Sequence, residues 1–179
     1  INGSQNNTLN TITTAVPFLL ITPDARALGM GDAGCASTPN AYSSFWNASK
    51  YAFIESRNGI AVSYTPWLRA LVPDIRVVDV SLYKKIGLKN VFAFSGKYFS
   101  LGDINNTSIT GTIIGQFRPY EYYGSLSYSR LLTENFSMGA SAKYIYSNLS
   151  WGLTVNGTQT HPGRSVAGEV SCFWNDTLR

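Results

Sequence analysis

Alternation of apolar and polar residues over two neighbouring segments is the feature that most constrains the fold of this chain. From 120 to 129 and again from 136 to 147, nearly every second residue is apolar or aromatic, and the residues between are mostly serine, glycine or charged. Successive side chains of a β-strand point to opposite faces, so each segment predicts a strand with one apolar and one polar face. The polar turn at Thr133-Glu134-Asn135 predicts that the two strands form an antiparallel hairpin.

Aromatic residues lie at both ends of the apolar face of this hairpin, with small or aliphatic residues between them. Membrane barrels carry an outward apolar band between two aromatic girdles. The pattern therefore predicts a membrane girdle formed by Tyr120, Tyr122, Tyr128, Phe136, Tyr144 and Tyr146. We expect the hairpin to place the first two tyrosines beside the last two, and Tyr128 beside Phe136.

A soluble sandwich or lipocalin-like barrel also alternates, but its apolar face points inward. Strand length favours the membrane, because each strand of the hairpin has about ten residues or more, whereas soluble strands cluster near five or six. The chain is 44% hydrophobic and only 13% charged, against a usual charged fraction of about a quarter. We therefore predict an all-β protein, a transmembrane antiparallel β-barrel.

Six strands are predicted along the chain, and their connections alternate between tight turns and long loops. The strands are Gly59–Pro66, Ile75–Ile86, Val91–Leu101, Pro119–Leu131, Phe136–Leu149 and Ser165–Trp174. Bacterial outer-membrane barrels have short periplasmic turns and longer external loops, so the long connections are expected outside. Six strands are fewer than the usual minimum of eight, and an open edge in lipid is costly. We therefore expect the chain to be part of a larger barrel.

The N-terminal region differs in kind from the predicted strands. Residues 1–57 are expected to form a periplasmic or plug segment with short helices, and residues 58–179 the first strands of the barrel. Thr22 is the expected N-cap of a first helix, with Pro23 and Asp24 in its first turn. A second short helix is expected over Ala41–Phe53.

Several blocks of the chain, in order, resemble the PorV family, outer-membrane proteins of the type IX secretion system of Bacteroidota. The blocks are 13–34, 45–53, 62–69, 71–74, 97–102, 128–130, 134–137 and 144–149. The chain differs from the residues most common in the family at Asn47-Ala48-Ser49 and at Cys35. The resemblance implies a barrel of the FadL superfamily, with about fourteen strands when complete, of which this chain is the N-terminal half.

The resemblance further implies a function without catalysis. Such a protein binds the C-terminal signal domain of cargo at a SprA-like translocon and delivers it to an attachment complex containing a PorU-like sortase. The expected partners also include outer-membrane lipid. The predicted docking residues lie in the loop after the first strand: Trp67, Leu68, Arg69, Leu71 and Val72. An ordinary loop folded against the barrel rim remains the alternative for this segment.

Two other functions are open. A FadL-like channel for hydrophobic small molecules would use the N-terminal segment as a movable hatch, although the inward faces of the strands are rich in serine and glycine. A lipid deacylase would need a nucleophile and a base, yet the single histidine, His161, lies in a loop with no serine or aspartate at a recognisable spacing.

No cofactor or metal site is predicted, since Cys35 and Cys172 lack metal-ligand spacing. Nucleic-acid binding is not expected either, because the lysines and arginines behind the net charge of +4 are scattered.

Overall fold

The computed structural model describes residues 16–67, 74–107, 111, 113–149, 154–155, 158–159 and 161–176. Six long strands dominate this part of the chain, and each begins and ends within two residues of a strand that the sequence predicts. In chain order the strands are β1 (Asn58–Pro66), β2 (Arg76–Ile86), β3 (Asn90–Ser100), β4 (Ile104–Thr107), β5 (Ile113–Phe117), β6 (Tyr120–Leu131), β7 (Phe136–Asn148), β8 (Thr154–Val155), β9 (Thr158–Gln159) and β10 (Gly163–Trp174).

The long strands form one antiparallel sheet in the order β1-β2-β3-β6-β7-β10. Residues 87–89 and 132–135 are the turns at what we call the short-turn end of the sheet. The longer connections lie at the opposite, long-connection end, and two of them contain the separate hairpins β4-β5 and β8-β9. The sequence does not predict these hairpins, because strands of two to five residues are too short to display a periodic pattern.

The sheet ends in two edge strands. β1 pairs only with β2, and β10 pairs only with β7, among the strands that the structure describes. These strands therefore form an open antiparallel sheet, and the closure that defines a barrel does not occur within the described part of the chain.

The two faces of the sheet differ sharply in chemistry. Even-numbered residues of the six long strands form the apolar face, and odd-numbered residues form the polar face. One row of register partners across the middle of the apolar face consists of Ile60, Leu82, Phe94, Leu126, Ala142 and Gly168. Leu126 is 67% exposed, whereas its neighbour Ser125 is buried. The alternation predicted for the hairpin is confirmed, and it extends over all six strands.

Residues 16–57, which we call the N-terminal segment, pack on the polar face. Phe18 is buried against Tyr123 and Ile145 of the sheet. Tyr51 forms a second buried cluster with Tyr83 and other residues of β2 and β3. The core therefore lies between this segment and the polar face, and the apolar face remains exposed.

The helices of the N-terminal segment are short. The expected N-cap, Thr22, is wrong: Asp24 caps the α-helix α1 (Ala25–Gly29), its Oδ1 accepting from the Arg26 amide at 2.9 Å. Thr22 Oγ1 instead donates to Asp32 Oδ1 at 2.6 Å. The second predicted helix is two 3₁₀ helices, Ser43–Phe45 and Ala48–Phe53, because the extended Asn47 separates them and caps the second. Pro17–Leu20 forms a further 3₁₀ helix.

None of the helices within the described ranges is long and apolar enough to cross a membrane.

Candidate functional site

Ser49 is the point at which the N-terminal segment is held most closely to the sheet. Its carbonyl oxygen accepts from Ser129 Oγ at 3.0 Å and from Ser137 Oγ at 2.8 Å. Its amide donates to Ser171 Oγ at 3.2 Å. Three strands, β6, β7 and β10, thus converge on one residue. The serines of the polar face serve here as short hydrogen-bonding groups to a backbone that covers them.

Neighbouring residues complete this attachment. Asn47 Nδ2 donates to the carbonyl oxygen of Cys172 on β10 at 3.0 Å. Gly139 on β7 faces Ser49, and a Cβ atom at that position would lie 2.7 Å from the Ser49 amide nitrogen. A glycine is therefore required for the close approach of the two backbones.

A buried ion pair attaches the segment nearer the long-connection end. Lys97 Nζ lies 3.5 Å from Asp79 Oδ1 on the adjacent strand, and their side chains are 0% and 5% exposed. The same ammonium group donates to the carbonyl oxygen of Ile21 and lies 4.9 Å from the centre of the Phe45 ring. A buried pair of this kind adds little net stability, because the cost of removing both charges from water offsets much of their attraction. The face occupied by Lys97, which the sequence does not settle, is the polar one.

Lys50 fixes the fold of the N-terminal segment itself. Its Nζ donates to the Gly34 carbonyl oxygen at 2.6 Å and to Ser37 Oγ at 3.1 Å. Burial lowers the pKa of Lys50 from its ordinary value. Tyr51 Oη, beside it in the chain, donates to the Ala41 carbonyl oxygen at 2.6 Å.

The aromatic residues of the apolar face gather near its two ends. At the long-connection end one register row consists of Tyr64, Val78, Tyr98, Tyr122, Tyr146 and Arg164. The Tyr122 and Tyr146 rings are 5.0 Å apart, and the Tyr120 and Tyr146 rings 5.9 Å. Tyr144 lies on the same face, one row nearer the middle. Tyr64 and Tyr98 lie in this row but were not predicted. Tyr64 is the single aromatic residue of β1, and β3 carries aromatic residues on both faces.

At the short-turn end one expected pairing is wrong. The register opposes Tyr128 to Ala140 rather than to Phe136, because β7 begins four residues before Ala140. The Tyr128 ring contacts Phe92 at 5.0 Å, and the Phe136 ring contacts Trp174 at 6.0 Å. Both residues nevertheless lie on the apolar face near the same end of the sheet.

Charges are distributed differently on the two faces of the six long strands. The polar face carries three acidic and three basic residues: Asp79, Lys85, Lys97, Glu121, Lys143 and Glu169. The apolar face carries no acidic residue in these strands, and its four cations are Arg76, Lys84, Arg130 and Arg164. All four lie toward the ends of their strands, and the central rows are uncharged.

The sequence matches a known protein family. The family described as "Type IX secretion system protein PorV" matches residues 3–176. The chain belongs to the PorV family. No curated protein matches it. Membership in the PorV family assigns the chain a role in type IX secretion.

The docking loop predicted for this PorV family member is only partly described. Trp67 follows β1, its amide donates to the Ile75 carbonyl oxygen at 3.0 Å, and the residue is 38% exposed. Leu68, Arg69, Leu71 and Val72 lie outside the described residues. Trp67 stands at the long-connection end, as expected.

A second polar group lies at the same end of the PorV sheet. Arg118 Nε and Nη2 donate to the two carboxylate oxygens of Asp103, each at 2.7 Å. The Arg118 hydrogen bonds hold the pKa of Asp103 below its ordinary value. Asp74 and Arg76 line a small cleft of about 90 Å³ with Arg118. No sequence motif indicates this pair, because its two residues lie fifteen positions apart, on either side of the β4-β5 hairpin.

Few side chains in the described part of the chain are suited to catalysis. His161 is exposed before β10, and no hydrogen bond joins it to another of the described residues. Cys35 and Cys172 are exposed and unpaired. The described ranges contain no cluster of His, Cys, Asp and Glu that could hold a metal ion.

Proposed function

We propose that this chain is an integral outer-membrane protein of a Bacteroidota type IX secretion system. The observation that carries the membrane placement is the exposed apolar face, with its aromatic rows near both ends and its cations confined to the strand ends. Arg76 and Lys84 lie eight residues apart on β2, which is about 27 Å along a strand and about 20 Å after a tilt of about 40°. That height is close to the apolar band of about 25 Å in membrane barrels.

The described sheet is proposed to form part of a larger barrel of the FadL superfamily, with about fourteen strands. The edges of β1 and β10 support this proposal. Unpaired backbone groups in lipid cost several kcal/mol each, so both edges need further strands within the membrane.

Residues 1–57 are proposed to be a plug held inside this barrel, and residues 58–179 its first strands. The hydrogen bonds of Ser49 and the contacts of Lys97 tie the plug to four strands. These contacts support a fixed plug.

The cargo role is proposed from the family. The protein would bind the C-terminal signal domain of a cargo at a SprA-like translocon and pass it to an attachment complex that contains a PorU-like sortase. Docking is assigned to the loop that begins with the exposed Trp67 and continues through Leu68, Arg69, Leu71 and Val72. Tryptophan and arginine are enriched among the residues that contribute most to protein–protein binding, and this loop contains one of each.

Co-purification from native outer membrane tests this role. The wild-type protein is expected to retain a large translocon subunit, or cargo proteins sharing one C-terminal domain, in mild detergent. The double variant W67S/L68S is expected to lose them while still inserting into the membrane. The matched control is Trp174→Ser, which removes an exposed tryptophan from the short-turn end and is expected to leave the partners bound.

Two results would count against the proposal. One is an unaltered set of partners in W67S/L68S, which would remove the loop from the interface. The other is a wild-type barrel that carries lipid but no protein partner, which would favour the hydrophobic channel.

The FadL-like channel is the second candidate and stays a prediction. It would require the N-terminal segment to leave the polar face, and so to break the Ser49 and Lys97 contacts together.

A further inference from the structure

An apolar trough crosses the middle of the apolar face on the side of the short turns. It has a volume of about 560 Å³ and spans β2, β3, β6 and β7. Large side chains form its walls, and the small Ala140 and Ala142 form its floor. The wall residues are Leu82, Phe92, Phe94, Leu126 and Tyr128. Phe92 and Leu126 are exposed, so the trough opens to the surroundings of the sheet rather than to the protein core.

A cation lines the trough at its short-turn side. Lys84 borders the cavity and pairs in register with Phe92. Arg130, on β6, pairs with Asn90 and therefore lies one row farther toward the short turns. The two residues flank β3, with their Cα atoms about 12 Å apart from the strand spacing and the rise per residue. Long lysine and arginine side chains can lay their stems on apolar surface and direct their charges to one point.

We propose that this trough binds one glycerophospholipid, with an acyl chain in the trough and the phosphate between Lys84 and Arg130. The apolar face of the six long strands offers the phosphate two cations here and no acidic side chain. Glu55, outside these strands, borders a separate cavity with Lys84. The inference rests on the proposed membrane placement, because the trough meets lipid only if the apolar face does.

The position of the phosphate site near the short turns indicates which leaflet of the membrane supplies the lipid. The short turns are proposed to be periplasmic, and the phosphate site lies in the two rows nearest them. The ligand is therefore a phospholipid of the inner leaflet. The cations at the opposite end, Arg76 and Arg164, do not line this trough.

Binding of dioleoyl phosphatidylglycerol to the detergent-purified full chain, followed by native mass spectrometry, tests this site. Dioleoyl phosphatidylcholine, which has the same chains but no net charge, is the comparison lipid. Both lipids carry the phosphate, but the quaternary ammonium of phosphatidylcholine adds a positive charge beside the two cations. The wild-type protein is therefore expected to bind the anionic lipid about tenfold more tightly. K84Q/R130Q is expected to remove this preference.

Two further variants separate the possible outcomes. R76Q/R164Q removes the same number of charges from the opposite end and is expected to keep the preference. Ala142→Phe fills the trough and is expected to reduce binding of both lipids. A preference that survives K84Q/R130Q, or that falls equally in R76Q/R164Q, would overturn the site.

Failure of this inference is distinguishable from failure of the proposed membrane placement. Extraction of cell membranes at alkaline pH reports whether each variant is integrated. Wild-type protein that stays integrated but shows no preference for the anionic lipid would overturn the site alone. Wild-type protein released by the extraction would overturn the membrane placement as well.

Discussion

At the scale of single residues, the attachment of the N-terminal segment depends on the absence of a side chain at Gly139. The Ser49 backbone occupies the space that a side chain would need, and three serine hydroxyls contact the same residue. The sequence shows this glycine only as one small residue in an alternating strand. Its role depends on a contact ninety residues away along the chain, which no local pattern contains.

Gly139→Ala is expected to destabilise the protein by about 1–3 kcal/mol, because the added methyl group must displace backbone. Gly168→Ala is the control, since a Cβ atom there meets no atom within 4 Å. Its expected effect is within about 0.5 kcal/mol. Urea unfolding of the two detergent-purified variants measures both. Equal losses would show that the Ser49 contact is not tight.

The carboxylate of Asp103 gives a prediction about pH. Its pKa is held down by the hydrogen bonds from Arg118, so the pairing is present at and above the ordinary aspartate pKa of about 3.9. It is lost only as the pH falls through the lower pKa of the paired state. Arg118→Gln is expected to raise the Asp103 pKa. The ¹³C shift of the labelled carboxyl group during an acid titration measures it, and an unchanged midpoint would contradict the pairing.

At the scale of elements, the long strands were predictable and the N-terminal helices were only partly so. Alternation can be recognised within a short stretch of sequence, and it located six strands because one face of each is mostly apolar. The helix start at Asp24 and the break at Asn47 depend on which of several nearby polar side chains caps the backbone. The sequence alone does not decide between them. The Tyr128 and Phe136 pairing failed because register depends on the turn at 132–135.

Removal of the serine donors to Ser49 is expected to be non-additive. Ser129→Ala or Ser137→Ala alone leaves the other hydroxyl on the Ser49 carbonyl oxygen, so each is expected to cost about 1 kcal/mol or less. The double variant leaves a buried acceptor without either hydroxyl and is expected to cost more than the sum. Proteolysis of the N-terminal segment reports its release from the sheet. Additive effects would mean that the two bonds are independent.

At the scale of the whole molecule, the even-numbered and the odd-numbered residues of the long strands face two different environments. The polar face holds balanced charges beneath the N-terminal segment, and the apolar face holds exposed aliphatic and aromatic side chains with cations toward its ends. The sequence predicts this separation, but not the apolar trough, since a trough requires large and small residues of four strands to be in register.

Spin-label accessibility along β6 tests the membrane-facing role of the apolar face most directly. After Cys35 and Cys172, both exposed, are changed to serine, single cysteines at 124–128 carry the label in reconstituted bilayers. At Leu126 and Tyr128 we expect frequent collisions with oxygen and few with a water-soluble nickel chelate. At Ser125 and Ser127, buried under the N-terminal segment, we expect few collisions with either. Nickel access at the even positions equal to that of an exposed loop would contradict the account.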